Sequence, residues 1–408
     1  MRIIRYDIQM LLVAAVFGVS CSINPTDPVG DKAVPLDDSL AELASRHGKY
    51  FGTAVVHDVL FDRLEPAQPA LSVRYAEIVA GQFHLIVPES EMKMASMWTG
   101  DWEIDFSKVD NIADWALERG LKMRGHVLVW HRSLPDWLVE GYQAGTYTKA
   151  GVATRVAWYI SEVMRHYQTK YPGLIVAWDV VNEAVGPNDP TVASVYGLRP
   201  AGDNYADAGE DFWRLTLGDD YVEKAFRWAR AADPEAKLYY NDYHNAYTNA
   251  KGEAIYALVT GLKAAGVPID GVGLQCHFDV DYLDASFPGI TFSLANISQT
   301  IDRWTSAGLD VQITELDIGH SSGASARQAE FFAGLLAVCL QKEGVSAIVT
   351  WGFTDRVSWR ADRRPLYFDD ELNPKPAYFS MLEVLKAIPA RGERTAETAE
   401  WPRGLDAF

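Results

Sequence analysis

Two glutamates of this 408-residue chain each stand where an apolar run of strand length ends and a polar segment begins. Glu183 closes the run Trp178-Asp-Val-Val-Asn-Glu183, and Glu315 lies within Ile313-Thr-Glu-Leu-Asp317. A carboxylate at the tip of a buried strand is held rigidly and is partly shielded from water, so its pKa can move away from the ~4.3 of free glutamate. Two such groups facing one cavity can act as acid and nucleophile, which is the chemistry that splits a glycosidic bond.

Eight apolar runs of strand length recur along the chain, with helical patterns between them. The runs cover residues 51–56, 83–87, 123–130, 175–181, 237–240, 271–275, 310–314 and 347–351. Apolar residues at the i, i+3, i+4 and i+7 positions of amphipathic helices begin at Val109, Val222 and Leu294. Because a helical crossover returns the chain in the same direction, strands that alternate with helices pair in parallel.

Eight such units predict an α/β fold, a (β/α)8 TIM barrel whose active site lies at the carboxyl ends of the strands. Polar residues follow nearly every run, as such a site requires, and they include Glu89, His126, Asn241, His277 and Asp355. A doubly wound open sheet is the alternative, but it would gather its functional residues at one crevice. The barrel is therefore the favoured prediction.

The composition narrows the choice of ligand. A formal net charge of -18 would repel the phosphates of nucleic acid, so we expect no nucleic-acid partner and a neutral or weakly charged ligand. Thirteen Trp and nineteen Tyr supply flat apolar faces on which sugars can stack. Apart from Cys21 the chain holds only Cys276 and Cys339, so no disulfide framework is expected.

The amino-terminal residues have the pattern of a secretory signal. Arg2 and Arg5 precede the apolar run at residues 10–17, which is too short to span a bilayer. Small residues then lead to Cys21, as in a bacterial lipoprotein signal, in which this cysteine carries the lipid. Gly18 departs from that pattern, because Leu, Val or Ile usually stands three residues before the cysteine.

These features predict four segments. Residues 1–20 form a signal peptide of the lipoprotein type, residues 21–38 a flexible tether, residues 39–388 a single catalytic domain and residues 389–408 a polar tail. We expect an exported protein, held in the periplasm or at the cell surface by lipid on Cys21. Plain secretion and a retained apolar helix are the alternatives.

Seven motifs occur in the order and at the spacing of a barrel. They are Pro88-Glu-Ser-Glu-Met-Lys93, Arg124-Gly-His-Val-Leu-Val-Trp-His131, Trp178-Asp-Val-Val-Asn-Glu183, Tyr240-Asn-Asp-Tyr243, Gly273-Leu-Gln-Cys-His277, Ile313-Thr-Glu-Leu-Asp317 and Trp351-Gly-Phe-Thr-Asp355. From about residue 51 to 378, the chain resembles glycoside hydrolase family 10, the retaining endo-β-1,4-xylanases. The resemblance implies a (β/α)8 fold, no metal or organic cofactor, and a cleft for xylan or a related β-glycan.

The resemblance also implies catalytic roles. Glu183 corresponds to the acid/base, Asn182 to a residue that hydrogen-bonds the sugar 2-hydroxyl, and Glu315 to the nucleophile. His277 is expected to bridge Glu315 and Asp317 and to keep the nucleophile charged. Since the acid must hold a proton near neutrality, we expect burial and the opposing negative charge to raise the pKa of Glu183.

A second group of residues is expected to bind the substrate. Its members are Glu89, Lys93, His126, Trp130, Tyr243, Gln275, Trp351 and Trp359. By the resemblance, Glu89, Lys93 and His126 bind the sugar just before the cleavage point, and the indoles of Trp351 and Trp359 enclose the glycone side. Packing alone is the alternative role for these indoles.

Several positions depart from the family pattern, among them Ser90, Met94, Arg132, Ser133 and His244. Ser90 and Ser133 replace an Asn and a Gln that hydrogen-bond the second glycone sugar, and Met94 replaces a Trp. The substrate alternative is therefore another, or a heavily decorated, β-glycan. A non-catalytic glycan-binding lipoprotein is a second alternative, disfavoured because the residues of the catalytic set are all present.

We predict that Cys21→Ala moves the protein from the membrane fraction to the soluble fraction, because stable anchoring needs the two or more acyl signals that lipoprotein processing supplies. Cell fractionation measures this, with Ser22→Ala as the matched control. Equal solubility of the wild type and the Cys21→Ala variant would mean that the anchor does not exist.

Overall fold

Eight parallel strands close into a barrel in the computed structural model, which describes residues 38–61, 69–186, 197–204, 209–283 and 292–393. The strands are β1 (Tyr50–Val55), β2 (Leu85–Pro88), β3 (Trp98–Gly100), β4 (Glu103–Ile104), β5 (Lys122–Gly125), β6 (Val129–Trp130), β7 (Ile175–Asn182), β8 (Leu238–Asp242), β9 (Gly271–Leu274), β10 (His277–Asp279), β11 (Asp310–Gly319) and β12 (Val345–Thr350). The barrel order is β1-β2-β5-β7-β8-β9-β11-β12, and β12 pairs with β1 to close it. The predicted (β/α)8 fold is confirmed.

Helices follow the barrel strands and cover the outside of the sheet. They are α1 (Leu40–Ser45), α2 (His57–Leu60), α3 (Pro69–Gln82), α4 (Met94–Met97), α5 (Ser107–Glu118), α6 (Asp136–Gln143), α7 (Lys149–Lys170), α8 (Phe212–Leu217), α9 (Tyr221–Ala232), α10 (Ala250–Ala264), α11 (Leu294–Ser306), α12 (Ser325–Gln341) and α13 (Pro376–Ala387). Side-chain caps start several of them: Thr148, Asn249 and Ser293 each accept a hydrogen bond from a backbone N–H of the first turn. The local sequence therefore sets these starting points.

The third predicted strand is interrupted. A single run over residues 123–130 was expected, but β5 ends at Gly125 and the chain pairs with β7 again only at Val129. His126 follows the break, and its Nδ1 lies 3.0 Å from Oδ2 of the buried Asp179 on β7. An apolar run alone does not reveal such a break, because the polar contact that accompanies it comes from another strand.

The barrel interior holds a buried ion pair. Arg124 donates to both carboxylate oxygens of Asp179, at 3.0 and 2.5 Å, and both side chains are 1% exposed. Arg124 also donates to Gln312 on β11, which does not pair with β5, so this contact crosses the interior. Burial raises the pKa of Asp179, but Arg124 and His126 outweigh it and hold that pKa below its ordinary value.

Parts of the predicted domain plan lie outside the described residues. These parts are the signal peptide, Cys21, the tether up to residue 37 and the tail after residue 393. Within the described residues, no helix combines the length and the apolar character that crossing a membrane requires. Cys276 and Cys339 are buried free thiols.

We predict that Arg124→Leu lowers the free energy of unfolding by about 3–5 kcal/mol, because it leaves the charge of Asp179 buried without its partner. Arg227→Leu is the matched control, since Arg227 pairs with Glu223 at 2.7 Å on the surface of α9 and both side chains are at least 36% exposed. Such a pair contributes about 1 kcal/mol or less. Urea denaturation measures both; equal losses would show that the interior pair is dispensable.

Candidate active site

The two glutamates stand at the carboxyl ends of barrel strands, as predicted. Glu183 directly follows β7, and Glu315 lies within β11, where it is 5% exposed. The backbone of Glu183 has φ 58°, the left-handed region that costs a non-glycine residue about 1–3 kcal/mol. Its N–H donates to the carbonyl of Asn241 at 2.9 Å, so the strained turn is held by the next strand, β8.

Two amide side chains join both carboxylates into one hydrogen-bond network. Nδ2 of Asn241 donates to Oε1 of Glu315 at 2.6 Å and to Oδ1 of Asn182 at 2.9 Å. Nε2 of Gln275 donates to Oε1 of Glu183 at 2.9 Å and to the same oxygen of Asn182 at 3.1 Å. Asn182, predicted to contact a sugar, is thus also the centre that links the two glutamates.

His277 lies between Glu315 and Asp317. Its Nε2 is 3.2 Å from Glu315 Oε2, and its Nδ1 is 2.8 Å from Asp317 Oδ2. Burial lowers the pKa of His277, but the charges and hydrogen bonds of Asp317 and Glu315 raise it to about 10. The imidazole is therefore a cation near pH 7, and both ring nitrogens donate. This cation stabilises the fold fully below pH ~6.5, and the contribution is lost as the pH rises through about 10.

Further donors hold Asp317, which is fully buried. Nη1 of Arg360 donates to Oδ1 at 2.5 Å, and the indole Nε1 of Trp359 donates to Oδ2 at 2.9 Å. Although 59% of Trp359 is exposed, this bond and an edge contact with His277, at 5.1 Å between ring centroids, fix its ring beside His277 and Asp317.

Glu183 has different neighbours. The indole Nε1 of Trp130 donates to its Oε2 at 3.1 Å, and Nη2 of Arg199 lies 3.9 Å from the same oxygen. Arg199 is 4% exposed and also donates to the backbone carbonyl of Glu183 at 2.8 Å and to the hydroxyl of Tyr243 at 3.3 Å. Tyr243 is therefore brought to the same side of the site as Glu183.

The expected rise in the pKa of Glu183 is wrong, because the structure lowers this pKa. Burial raises that pKa, but interactions with His131, Lys251, Gln275 and Arg199 lower it below its ordinary value. Burial itself lowers the pKa of His131 to about 3, so His131 is neutral near pH 7. Lys251, with a pKa lowered to about 8 by burial, remains largely charged. Lys251 and Arg199 are therefore the cations that act on Glu183 near neutrality.

The remaining predicted residues line the opening beside Glu315. Nζ of Lys93 lies 5.3 Å from the ring centroid of Trp130 and 5.8 Å from that of Trp351. The ring of His126 meets that of Trp351 edge-on at 5.1 Å. Burial raises the pKa of Glu89 to about 7, with Lys93 opposing the shift and the charge of Glu315 adding to it. The structure thus brings the predicted set together.

Ser90 and Ser133, the two serines that differ from the family pattern, stand on neighbouring loops. Ser90 is exposed and follows β2, whereas Ser133 is partly buried and follows β6. The N–H of Ala95 donates to the carbonyl of Ser133 at 2.8 Å and ties the two loops together. Both positions therefore belong to the same side of the opening as Lys93.

Arg199, Lys251 and Arg360 were missed by the sequence analysis. Arg199 lies in a long acidic segment, and Lys251 lies on the first turn of α10, where a single basic residue has no distinctive spacing. Only Arg360 had a usable signal, because it directly follows Trp359. Within the described part of the chain, no group of three or more His, Cys, Asp or Glu side chains could hold a metal ion.

A (β/α)8 barrel that carries two strand-end glutamates in one hydrogen-bond network has the architecture of a glycoside hydrolase. The family model for glycosyl hydrolase family 10 matches residues 39–384, and the chain belongs to this family. The resemblance read from the seven motifs is therefore confirmed.

Individual relatives agree with this assignment. The chain is 32% identical to endo-1,4-beta-xylanase B of Thermotoga neapolitana over 77% of its own length and 84% of the relative. It is 32% identical to endo-1,4-beta-xylanase A of Thermoanaerobacterium saccharolyticum over 88% of its own length, but it covers only 29% of that relative. It is 31% identical to exoglucanase XynX of Acetivibrio thermocellus over 90% of its own length, but it covers only 32% of that relative. Xylanase 10B of Thermotoga petrophila RKU-1, crystallised with xylobiose, superimposes with a TM-score of 0.72 at 32% identity, covering 87% of this chain and 98% of that one.

We predict that Arg199→Gln moves the alkaline limb of the pH profile of kcat/KM to higher pH, because removing a cation beside Glu183 raises the pKa of that carboxyl. Arg74→Gln is the control, since Arg74 bonds the carbonyl of Glu371 outside this network. A limb that stays in place or moves to lower pH in the Arg199 variant would contradict the assignment.

Proposed function

We propose that this protein is an endo-β-1,4-xylanase that cleaves internal xylosidic bonds of xylan with retention of anomeric configuration. The observation that carries the proposal is that two glutamates joined by one amide network have different hydrogen-bond partners. Glu315 is held by the cationic His277 and the amide of Asn241, as an attacking carboxylate requires. Glu183 lies across the same amide network, where it can reach the leaving oxygen.

The first step forms a covalent intermediate. A carboxylate oxygen of Glu315 attacks the anomeric carbon, the bond from that carbon to the leaving oxygen breaks, and Glu183 gives its proton to that oxygen. A sugar in the cleft displaces water from Glu183 and leaves it opposite the charge of Glu315. Both effects raise the pKa of Glu183 and favour its protonated form.

The second step reverses the role of Glu183. Once Glu315 is esterified, its negative charge is gone, and the cations Arg199 and Lys251 again favour the ionised form of Glu183. Glu183 then takes a proton from water, and that water attacks the anomeric carbon and releases Glu315. Two attacks on opposite faces of the sugar leave the configuration as it began.

The choice of xylan rests on the relatives and on the aromatic lining. The matching structures include one crystallised with xylobiose and one with xylotriose. The indoles of Trp351 and Trp359 flank the site, and Lys93 lies where it can donate to sugar hydroxyls. Another β-glycan is the second candidate, since one relative is called an exoglucanase and Ser90 and Ser133 stand on the lining loops. Reducing-sugar release from linear xylan, glucuronic-acid-branched xylan and β-1,4-glucan separates the two candidates.

Export, with lipid attached to Cys21, is also part of the proposal. Its support is the order of basic, apolar and small residues before Cys21. An exported position suits a protein that acts on a polymer too large to enter a cell.

We predict that Glu315→Ala abolishes hydrolysis of every substrate, because no group remains to form the glycosyl ester. Glu183→Ala should keep partial activity on aryl xylosides whose leaving group needs no proton. Azide should then accelerate turnover of the Glu183 variant and give a β-xylosyl azide, because a small anion can enter the space of the lost side chain. Chromatography and NMR of the products measure this.

The stereochemistry of the wild type provides an independent check. The first-formed product should have the same anomeric configuration as the substrate, as NMR during the first minutes of reaction would show. An inverted product, or an α-xylosyl azide from the Glu183 variant, would overturn the assigned roles.

A further inference from the structure

An exposed indole stands on the hairpin formed by β3 and β4. Trp102 lies in the turn between the two strands, and 47% of its surface is exposed. Large aromatic side chains on a surface are usually buried on at least one face, and an isolated one needs no explanation. Trp102 is not isolated, because its ring contacts the side chains of Trp158 and Arg155.

These neighbours fix the ring in place. The indole of Trp158 on α7 meets that of Trp102 edge-on, at 5.2 Å between centroids and 80° between planes. The guanidinium of Arg155 lies 5.1 Å from the centroid of Trp102, and it is itself held by Asp101 through two bonds of 2.8 and 2.7 Å. The ring therefore loses little conformational freedom if a ligand stacks on it.

The backbone at Trp102 is strained. Its φ of 62° lies in the left-handed region, which hairpin turns normally fill with Gly, Asn or Asp. A bulky residue is strained there, and such outliers collect at ligand sites. Glycine would remove the strain, so the geometry of the turn does not itself require an indole.

The hairpin also stands on the face of the barrel that carries the active site. It belongs to the segment that leaves the carboxyl end of β2, a few residues after Glu89 and Lys93. The indole Nε1 of Trp137 donates to the carbonyl of Trp98 at 3.0 Å and ties the hairpin to the segment that follows β6. A long linear ligand that occupies the opening can therefore continue towards Trp102.

We propose that Trp102, with Arg155, Trp158, Asp101 and Glu103, forms a second sugar-binding platform that holds a distant part of the polysaccharide chain. The apolar face of a pyranose ring stacks on the indole, and the exposed carboxylate of Glu103 accepts hydrogen bonds from sugar hydroxyls. Glu103 and the net charge of -18 disfavour anionic ligands, so the ligand is a neutral β-linked chain. The inference rests on the proposed function, because the xylan cleaved in the opening is this chain.

The test compares long and short substrates. We expect Trp102→Ala to lower the ratio of kcat/KM on soluble xylan to kcat/KM on a 4-nitrophenyl xylobioside by about threefold to tenfold, the effect of one lost aromatic stacking contact. Trp102→Gly should lower it equally, and it keeps the hairpin because glycine adopts this φ without strain. Phe379→Ala removes a side chain that is 50% exposed on α13, and its ratio should equal that of the wild type.

Binding without turnover gives a second measurement. In the Glu315→Gln background, native electrophoresis through soluble xylan should retard the protein, and adding Trp102→Ala should weaken the retardation about threefold or more. Adding Phe379→Ala should leave the retardation unchanged. Thermal unfolding of each variant shows whether the fold is kept.

Three results would overturn the platform. If the enzyme cleaves xylan but both Trp102 variants have the same ratio as Phe379→Ala, Trp102 does not bind the polysaccharide. The platform would then be rejected, and the proposed function would stay intact. If the wild type cleaves no xylan, the proposed function fails and the platform fails with it. A wild type that sediments as a dimer, with a monomeric Trp102→Ala variant, would show that a second copy covers the indole.

Discussion

The charged hydrogen bond from His277 to Glu315 is the interaction on which the site depends. Glu315 and Asp317 are 5% and 0% exposed, and two carboxylates at such depth cannot both ionise without a cation between them. The parallel register of β10 and β11 places His277 opposite Asp317 and so delivers that cation. Arg360 and Trp359 donate further hydrogen bonds to Asp317. The hydrogen-bond network around Glu315 therefore brings together residues from three segments.

The surroundings of Glu183 differ, because in the proposed mechanism Glu183 gains and loses a proton within one cycle. Arg199 and Lys251 favour its ionised form, whereas burial favours its protonated form, so the balance can turn when substrate enters or when the charge of Glu315 is removed. The left-handed backbone at Glu183 aims the side chain into the opening at a cost in stability. Opposing effects thus act on the pKa of Glu183, whereas Glu315 is held by hydrogen bonds from His277 and Asn241.

The fold could be predicted well from the order of residues. Apolar runs separated by amphipathic helices leave few arrangements other than a parallel barrel, and a carboxyl-end site follows from the barrel itself. The main difference lies between Gly125 and Val129, where the expected strand is interrupted and His126 bonds Asp179 of a neighbouring strand. Hydrophobic patterning reports which residues are buried, but it does not report which buried polar groups meet.

For the site as well, the sequence decides some features and the tertiary structure decides others. The places of Glu183 and Glu315 after apolar runs are visible in the chain, and the resemblance of the motifs to the family adds His277. Only the tertiary structure decides that Arg199 and Lys251 stand beside Glu183, and hence that its pKa is lowered and not raised. The physical reason is that Coulomb energy depends on distance in space and on local burial, and neither quantity can be read from separation along the chain.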